Sequence, residues 1–452
     1  AVLACGSNAF RQLADSDELV LPDAVQLSDA ASLVAASWSQ CLISASKQLA
    51  DLHQPSEHPL TLLSPAAGDS SGTLRCLGHP LAGDLPSSPV KRWLGHDELT
   101  ATLGNDDVVI ALDGARIASS VRDAVLDGRG ELLVVPSAFS SSFLSSFPLS
   151  SALVPDVMPL QMLPATEAAQ ATQEWAPRLY ESLASARQLP DDGGDVLSWH
   201  EAPEPAADSL ETSFRTSWAI EAGAAHFLIL VGGERSSSSS EVWSFGDSRY
   251  GQAGPFPSPS PLDRPDSTST ARYDRPTLRH IAFFDGLHPV QVSCGAFHSA
   301  VVTAQGAAYV LGSNKAGQLG LGEGEPGGAE PVLVELGEEE SGGEEEDEIA
   351  QVACGAAHTV LLTKSGQVWV TGASASLPFS LSRCASRSTA ATGPLTSGSR
   401  SRADDDGQLG LGDTTSRSTW TRNFGVEMAA EPQELGGWTE RVLESVDAFE
   451  CN

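Results

Sequence analysis

Three histidines form the pattern in this chain that most invites a chemical reading. His226, His298 and His358 each close a short phrase: Glu221-Ala-Gly-Ala-Ala-His226, Val292-Ser-Cys-Gly-Ala-Phe-His298 and Val352-Ala-Cys-Gly-Ala-Ala-His358. An imidazole can ligate a metal or move a proton near neutral pH, so three at one recurring position suggest a metal centre or a general base. Their spacing argues against both. They lie 72 and 60 residues apart, so each belongs to its own copy of a repeat and the three do not converge on one ion. A structural role follows, each ring hydrogen-bonding backbone within its copy. Gln40, in the equivalent slot of an earlier copy, agrees with this: its amide hydrogen-bonds but is no catalytic base. Cys294 and Cys354 precede the phrase glycine and are expected to be small buried residues rather than nucleophiles. The seven cysteines are odd in number and contain no C-x-x-C pair, which leaves neither a disulfide framework nor a zinc spacing and suits a reducing compartment. Gly320-Leu-Gly322-Glu-Gly324 is glycine-rich but lacks the Lys-Ser/Thr of a phosphate loop. No nucleophile elbow or paired-carboxylate motif occurs. The expectation is a chain that is not an enzyme, with no catalytic, cofactor-binding or metal-binding residues.

The elements that hold these phrases are strands. After His298 the chain runs Gly306-Ala-Ala-Tyr-Val-Leu-Gly312 and then Lys315-Ala-Gly317-Gln-Leu-Gly320. After His358 come Gly366-Gln-Val-Trp-Val-Thr-Gly372 and Gly407-Gln-Leu-Gly-Leu-Gly412. After His226 come Val242-Trp-Ser-Phe-Gly246 and Gly251-Gln-Ala-Gly254. β-branched and aromatic runs bounded by glycine are strand signals, and Trp243 and Trp369 within them are expected in or near the core. The structural repeat positions are therefore Gly223, His226, Gly246, Gly251, Gly295, His298, Gly312, Gly317, Gly355, His358, Gly372 and Gly407.

These phrases resemble the repeat of the regulator of chromosome condensation family, clearly in the second half of the chain and weakly in the first. The resemblance implies an all-β, seven-bladed β-propeller with four-stranded blades. Ser37 and Gly95 occupy the phrase-glycine slot in earlier copies, at intervals of 58, 128, 72 and 60 residues through to Gly355. The 128-residue gap predicts an unrecognised blade near 139–215. Gly72-Thr-Leu-Arg-Cys-Leu-Gly78 and Gly130-Glu-Leu-Leu-Val-Val are read as second halves. One propeller is expected over residues 1–452, with 1–15 and 440–452 sharing the closing blade, an arrangement that removes exposed sheet edges.

Two segments interrupt the period. Residues 374–403 are Ser-rich, carry Arg383, Arg387, Arg400 and Arg402 with no acidic residue, and are read as a disordered insertion or a retained intron. Residues 338–348 form an acidic loop, expected to be solvated or to meet a basic partner. The whole chain has 59 acidic against 26 basic residues, a net charge of −33. That balance disfavours direct nucleic-acid binding, and nothing approaches a membrane span.

The resulting expectation is a monomeric, non-enzymatic protein-binding scaffold or adaptor, cytoplasmic or nuclear, with no binding face assigned. Within the family, the first-blade segment Ala35-Ala-Ser-Trp-Ser is similar to the small one-domain animal member that partners a Jumonji-type oxygenase. It is less similar to fungal alpha-tubulin-suppressor proteins, which imply a small zinc protein of diphthamide synthesis and tRNA wobble modification as partner. The founding member implies a third role, guanine-nucleotide exchange on a small Ran-like GTPase. A regulatory propeller within a larger enzyme, such as a ubiquitin ligase, is a fourth reading.

Overall fold

The structure, a computed structural model, describes residues 2–7, 20–28, 31–37, 39–45, 61–63, 73–83, 90–96, 98–137, 177–188, 194–200, 218–232, 240–255, 277–337, 347–373 and 408–423. Within them the chain forms a two-stranded hairpin and six larger sheets. The hairpin pairs β1 (Val2–Ser7) with β2 (Val20–Ser28). Blade 1 holds β3 (Ala31–Ala36), β4 (Gln40–Ala45), β5 (Thr61–Leu63) and β6 (Thr73–Gly78), in the spatial order β3-β4-β6-β5. Blade 2 holds β7 (Val90–Leu94), β8 (Ala101–Gly104), β9 (Val109–Ala111) and β10 (Arg116–Ala118). Blade 3 holds β11 (Val121–Leu126), β12 (Leu132–Pro136), β13 (Arg178–Tyr180) and β14 (Asp195–Val196), with a short helix α1 (Leu183–Gln188) between the last two. Blade 4 holds β16 (Trp218–Ala222), β17 (His226–Val231), β18 (Glu241–Gly246) and β19 (Thr277–His280). A fifth strand, β15 (Ser198–His200), runs parallel to β19 on its outer edge. Blade 5 holds β20 (Pro289–Cys294), β21 (His298–Thr303), β22 (Ala308–Ser313) and β23 (Gly327–Leu333). Blade 6 holds β24 (Ile349–Cys354), β25 (His358–Thr363), β26 (Val368–Gly372) and β27 (Arg417–Arg422). The architecture is an all-β propeller.

Alternation along each strand supplies the packing, because successive side chains leave a strand on opposite faces. On β17, Phe227 and Ile229 pack toward blade 3, against Val125, Leu133 and Val135. Leu228 and Leu230 face the other way and pack on Val292 and Val301 of blade 5. Both faces are covered, so the strand is apolar at every position after its histidine. Blades 5 and 6 repeat this, with Ala300, Val302 and Val310 against Val352, Leu361 and Trp369. Each fully buried Leu, Ile or Phe contributes about 1.5–3 kcal/mol. The inter-blade seams are therefore the core.

The expected blade at 139–215 is corrected. The corresponding sheet opens at Val121, and Gly130-Glu-Leu-Leu-Val-Val supplies its second strand rather than the second half of the preceding blade. The physical reason lies in blade 2. Its outer strands have three residues each, so it closes by Ala118 and the next blade begins at once.

The hairpin β1–β2 seats against blade 6. Leu411 forms a bridge with Asp23, and the Gly412 N–H donates to the Pro22 carbonyl at 3.0 Å. One blade earlier the geometry is the same: Leu321 bridges Thr419, and the Gly322 N–H donates to the Ser418 carbonyl at 2.9 Å. Thus β2 meets the blade 6 loop as β27 meets the blade 5 loop. On its other side β1 contacts β3 of blade 1. Residues 440–452, 374–403 and most of the 338–348 loop lie outside the described residues.

Candidate binding face

Two of the repeated histidines, His226 and His298, hold one blade to the next. His226 Nε2 lies 2.8 Å from Ser299 Oγ in blade 5, and the Ser299 hydroxyl donates to the Gln252 carbonyl in the blade 4 loop at 2.8 Å. His298 Nε2 lies 2.9 Å from Thr359 Oγ1 in blade 6, whose hydroxyl donates to the Gln318 carbonyl at 2.6 Å. Since each hydroxyl spends its proton on a carbonyl, the imidazole is the donor to it, carrying its proton on Nε2. Burial pushes the pKa of His226 down to about 4 and that of His298 to about 3. Both rings are neutral donors across the physiological range, with their reactive nitrogen already engaged. Their other nitrogens face the phrase glycines. A Cβ at Gly295 would lie 2.1 Å from His298 Cε1, and one at Gly355 would lie 2.1 Å from His358 Cε1. The glycine is required because the ring occupies the space of its side chain.

The remaining repeat positions have related duties. Gly251 and Gly317 have positive φ and press the third-to-fourth-strand loop onto the outer strand of the following blade; their Cβ atoms would meet Ala329 N at 2.3 Å and the Arg417 carbonyl at 2.4 Å. Gly246 and Gly372 end the third strands of blades 4 and 6, Gly312 is the last residue but one of that in blade 5, and Gly223 opens the blade 4 turn. Gly407 lies outside the described residues. At the hairpin the same seam is closed by Cys5, whose thiol donates to the Gln408 carbonyl at 3.6 Å. Burial pushes that thiol up to about 12, so it is no nucleophile at neutral pH. Cys41 and Cys76 are likewise raised, to about 12 and about 11.

Blade 1 makes the joint with another residue, and the blade 3 turn is built differently. The Gln40 side chain accepts from the Leu99 N–H of blade 2 at 2.7 Å and donates to the His79 and Pro80 carbonyls at 3.1 Å. One amide thus does the work of a histidine and a hydroxyl. In blade 3 the turn is built on Asp127, whose Oδ1 accepts from the N–H groups of Arg129 and Glu131 at 2.9 and 2.8 Å. Its Oδ2 is buried without a hydrogen-bond partner. Burial, with Glu131 adding repulsion, pushes this carboxyl up to about 7.

Around Asp127 the loop face carries side chains that are not part of the frame. Asp247, at the end of β18, is held between Arg249 and Arg129, with Nη2-to-Oδ2 separations of 2.6 and 3.6 Å. Tyr250 stands edge-on to Phe297 with ring centroids 5.3 Å apart, and Lys315 Nζ lies 4.5 Å over the Tyr250 ring. These residues come from the turns of blades 3, 4 and 5 and form one contiguous island. Sequence reasoning passed over them because it looked for what recurs. The available signal was the opposite one: positions at which aligned copies differ, such as Ala225, Phe297 and Ala357 before the histidine, or Arg249-Tyr250 against Lys315-Ala316 before the loop glycine. Among the described residues no group of three or more His, Cys, Asp or Glu side chains could hold a metal ion, and no helix is long and apolar enough to cross a membrane.

Comparison with known proteins identifies the repeat in the second half of the chain. The repeat described as "Regulator of chromosome condensation (RCC1) repeat" matches residues 305–362, and a second description of that repeat matches 290–318 and 349–376. The human X-linked retinitis pigmentosa GTPase regulator is 33% identical over 132 residues, which are 29% of this chain and 9% of that protein. Human E3 ubiquitin-protein ligase HERC2 is 32% identical over 167 residues, 36% of this chain and 3% of that protein. The chain therefore spans less than a tenth of the length of these relatives. Among solved structures, human WBSCR16 aligns with a TM-score of 0.45 at 15% identity, covering 95% of this chain and 92% of that one. The repeat is matched where its histidine, glycine and hydroxyl joints are most regular, so residues 290–376 of this chain carry repeats of the RCC1 type.

Proposed function

We propose that the chain is a non-enzymatic protein-binding scaffold or regulatory adaptor that recruits its partner through the loop face of the propeller. The observation that carries this reading is the division of labour between residues. The buried imidazoles, hydroxyls and thiols described above are engaged in joining blades or are shifted away from reactivity, whereas the charged and aromatic side chains that differ between repeats gather on one face. A rigid frame presenting variable loops is a binding device. The contacts of β1 and β2 with blades 6 and 1 support a seventh blade completing the ring. The partner classes that the family resemblance implies are an oxygenase, a small zinc protein or a small GTPase.

The printed name of one relative, a GTPase regulator, favours a second reading: guanine-nucleotide exchange on a small Ran-like GTPase. A nucleotide-release assay separates the two. The scaffold reading expects the chain at one-hundredth of the GTPase concentration to leave the release rate unchanged. Acceleration at that ratio would establish the exchange reading instead.

A further inference from the structure

We propose that the island of Arg129, Asp247, Arg249, Tyr250, Phe297 and Lys315 is a docking site for an acidic peptide segment of a partner protein, with an aromatic or aliphatic residue among its carboxylates. The inference rests on the protein-binding reading above and adds the chemistry of the partner. Three cations gather on this face of a chain whose net charge is −33. A local reversal of sign marks a place where the general repulsion of acidic partners is lifted, and such complementarity favours both encounter and register. Of the six residues the one carboxylate, Asp247, is only 6% exposed and pairs with Arg129 and Arg249, whose side chains are 36% and 62% exposed; Asp127 and Glu131 adjoin Arg129 at the blade 3 edge. Asp247 orients the two guanidiniums, and Lys315 adds a third cation without a carboxylate of its own. Lys315 is exposed and forms no ion pair among the described residues; Glu323 and Glu325 further along its loop do not reach it. Tyr250 and Phe297 are half-buried, so they offer ring faces and edges beside the cations. Cationic groups flanking paired aromatic rings suit carboxylates interleaved with an apolar side chain. The two most acidic stretches of the chain itself, 338–340 and 344–348, enter as a competing occupant that the test must exclude.

The test uses fluorescence anisotropy on the full chain with two labelled ten-residue peptides, one alternating Glu with Phe and one alternating Lys with Phe. Saturable binding of the Glu/Phe peptide is expected, weakening at least fivefold in Lys315→Glu and in Arg249→Gln, and falling with added salt. Lys364→Glu, an equal charge change on blade 6 outside the island, serves as the control and should leave the affinity within a factor of two. Among the described residues the Lys315 ammonium meets the Tyr250 ring and makes no ion pair, so Lys315→Glu should melt within a few degrees of the parent, which circular dichroism verifies. A variant with residues 338–346 replaced by Gly-Ser should bind the peptide at least as well as the parent. Preferential binding of the Lys/Phe peptide, or Glu/Phe binding indifferent to Lys315→Glu and Arg249→Gln, overturns the proposal. The scaffold reading fails by a different result, catalytic nucleotide release, so the two failures are distinguishable.

Discussion

Replacing Thr359 by valine removes one hydroxyl and keeps the side-chain shape, and it tests whether the histidine joints hold the blades together. Thr359 and His298 are both fully buried. The hydroxyl accepts from His298 at 2.9 Å and donates to the Gln318 carbonyl at 2.6 Å, so its loss orphans a donor and an acceptor at once. Each orphaned buried group costs about 1–3 kcal/mol, which places the substitution at about 2–6 kcal/mol. Thr359→Ser keeps both bonds and loses only a methyl, at about 0.5–1.5 kcal/mol. Urea unfolding at pH 7.5, followed by tryptophan fluorescence, compares the midpoints of the three proteins. The expected order is parent, then serine, then valine, with the valine gap at least twice the serine gap. If valine and serine destabilise equally, the hydroxyl has no role in the joint and the histidines need another explanation.

The frame makes three further predictions. Asp127 holds its proton more tightly when folded, with a pKa near 7 against about 3.8 unfolded, so its contribution to stability declines as pH rises through that window; the gain in melting temperature from Asp127→Asn should therefore grow from pH 5 to pH 8. His226 and His298 act with the opposite sign: their folded pKa values lie below the unfolded 6.5, so each stabilises above that pH and loses about 1.4 kcal/mol per unit as pH falls toward about 4 and about 3, which urea midpoints of Asp127→Asn between pH 7 and 5 will show as a steep decline. Arg92 reaches Asp123 at 3.2 Å, Glu221 at 2.9 Å and the Ile220 carbonyl at 3.0 Å, tying blades 2, 3 and 4 together; Arg92→Met should cost about 2–4 kcal/mol in chemical unfolding, and Arg92→Lys should recover less than half of it.

The sequence showed blades 4 to 6 plainly, because there each second strand is buried at every position and each turn needs the same histidine and glycine. It showed blade 1 through Gln40, an amide able to replace a histidine and a hydroxyl together. Blade 3 stayed hidden because its turn uses Asp127, with side-chain-to-backbone bonds that leave no histidine phrase, and because short blade 2 shifted the count. The parallel strand β15 gave no signal, since three residues are too few for a period. The island was invisible to a search for repetition, since it consists of the residues that fail to repeat. What the frame needs is common to all copies, and what a partner needs is local to a few.

The central claim is that this propeller acts by holding a protein on its loop face. The most direct measurement is quantitative co-purification from an extract of the organism that encodes the chain, comparing the parent with Lys315→Glu and with the control Lys364→Glu. The account predicts a protein recovered in near-stoichiometric amount with the parent and with Lys364→Glu, and reduced at least fivefold with Lys315→Glu. Recovery that is equal for all three would contradict it.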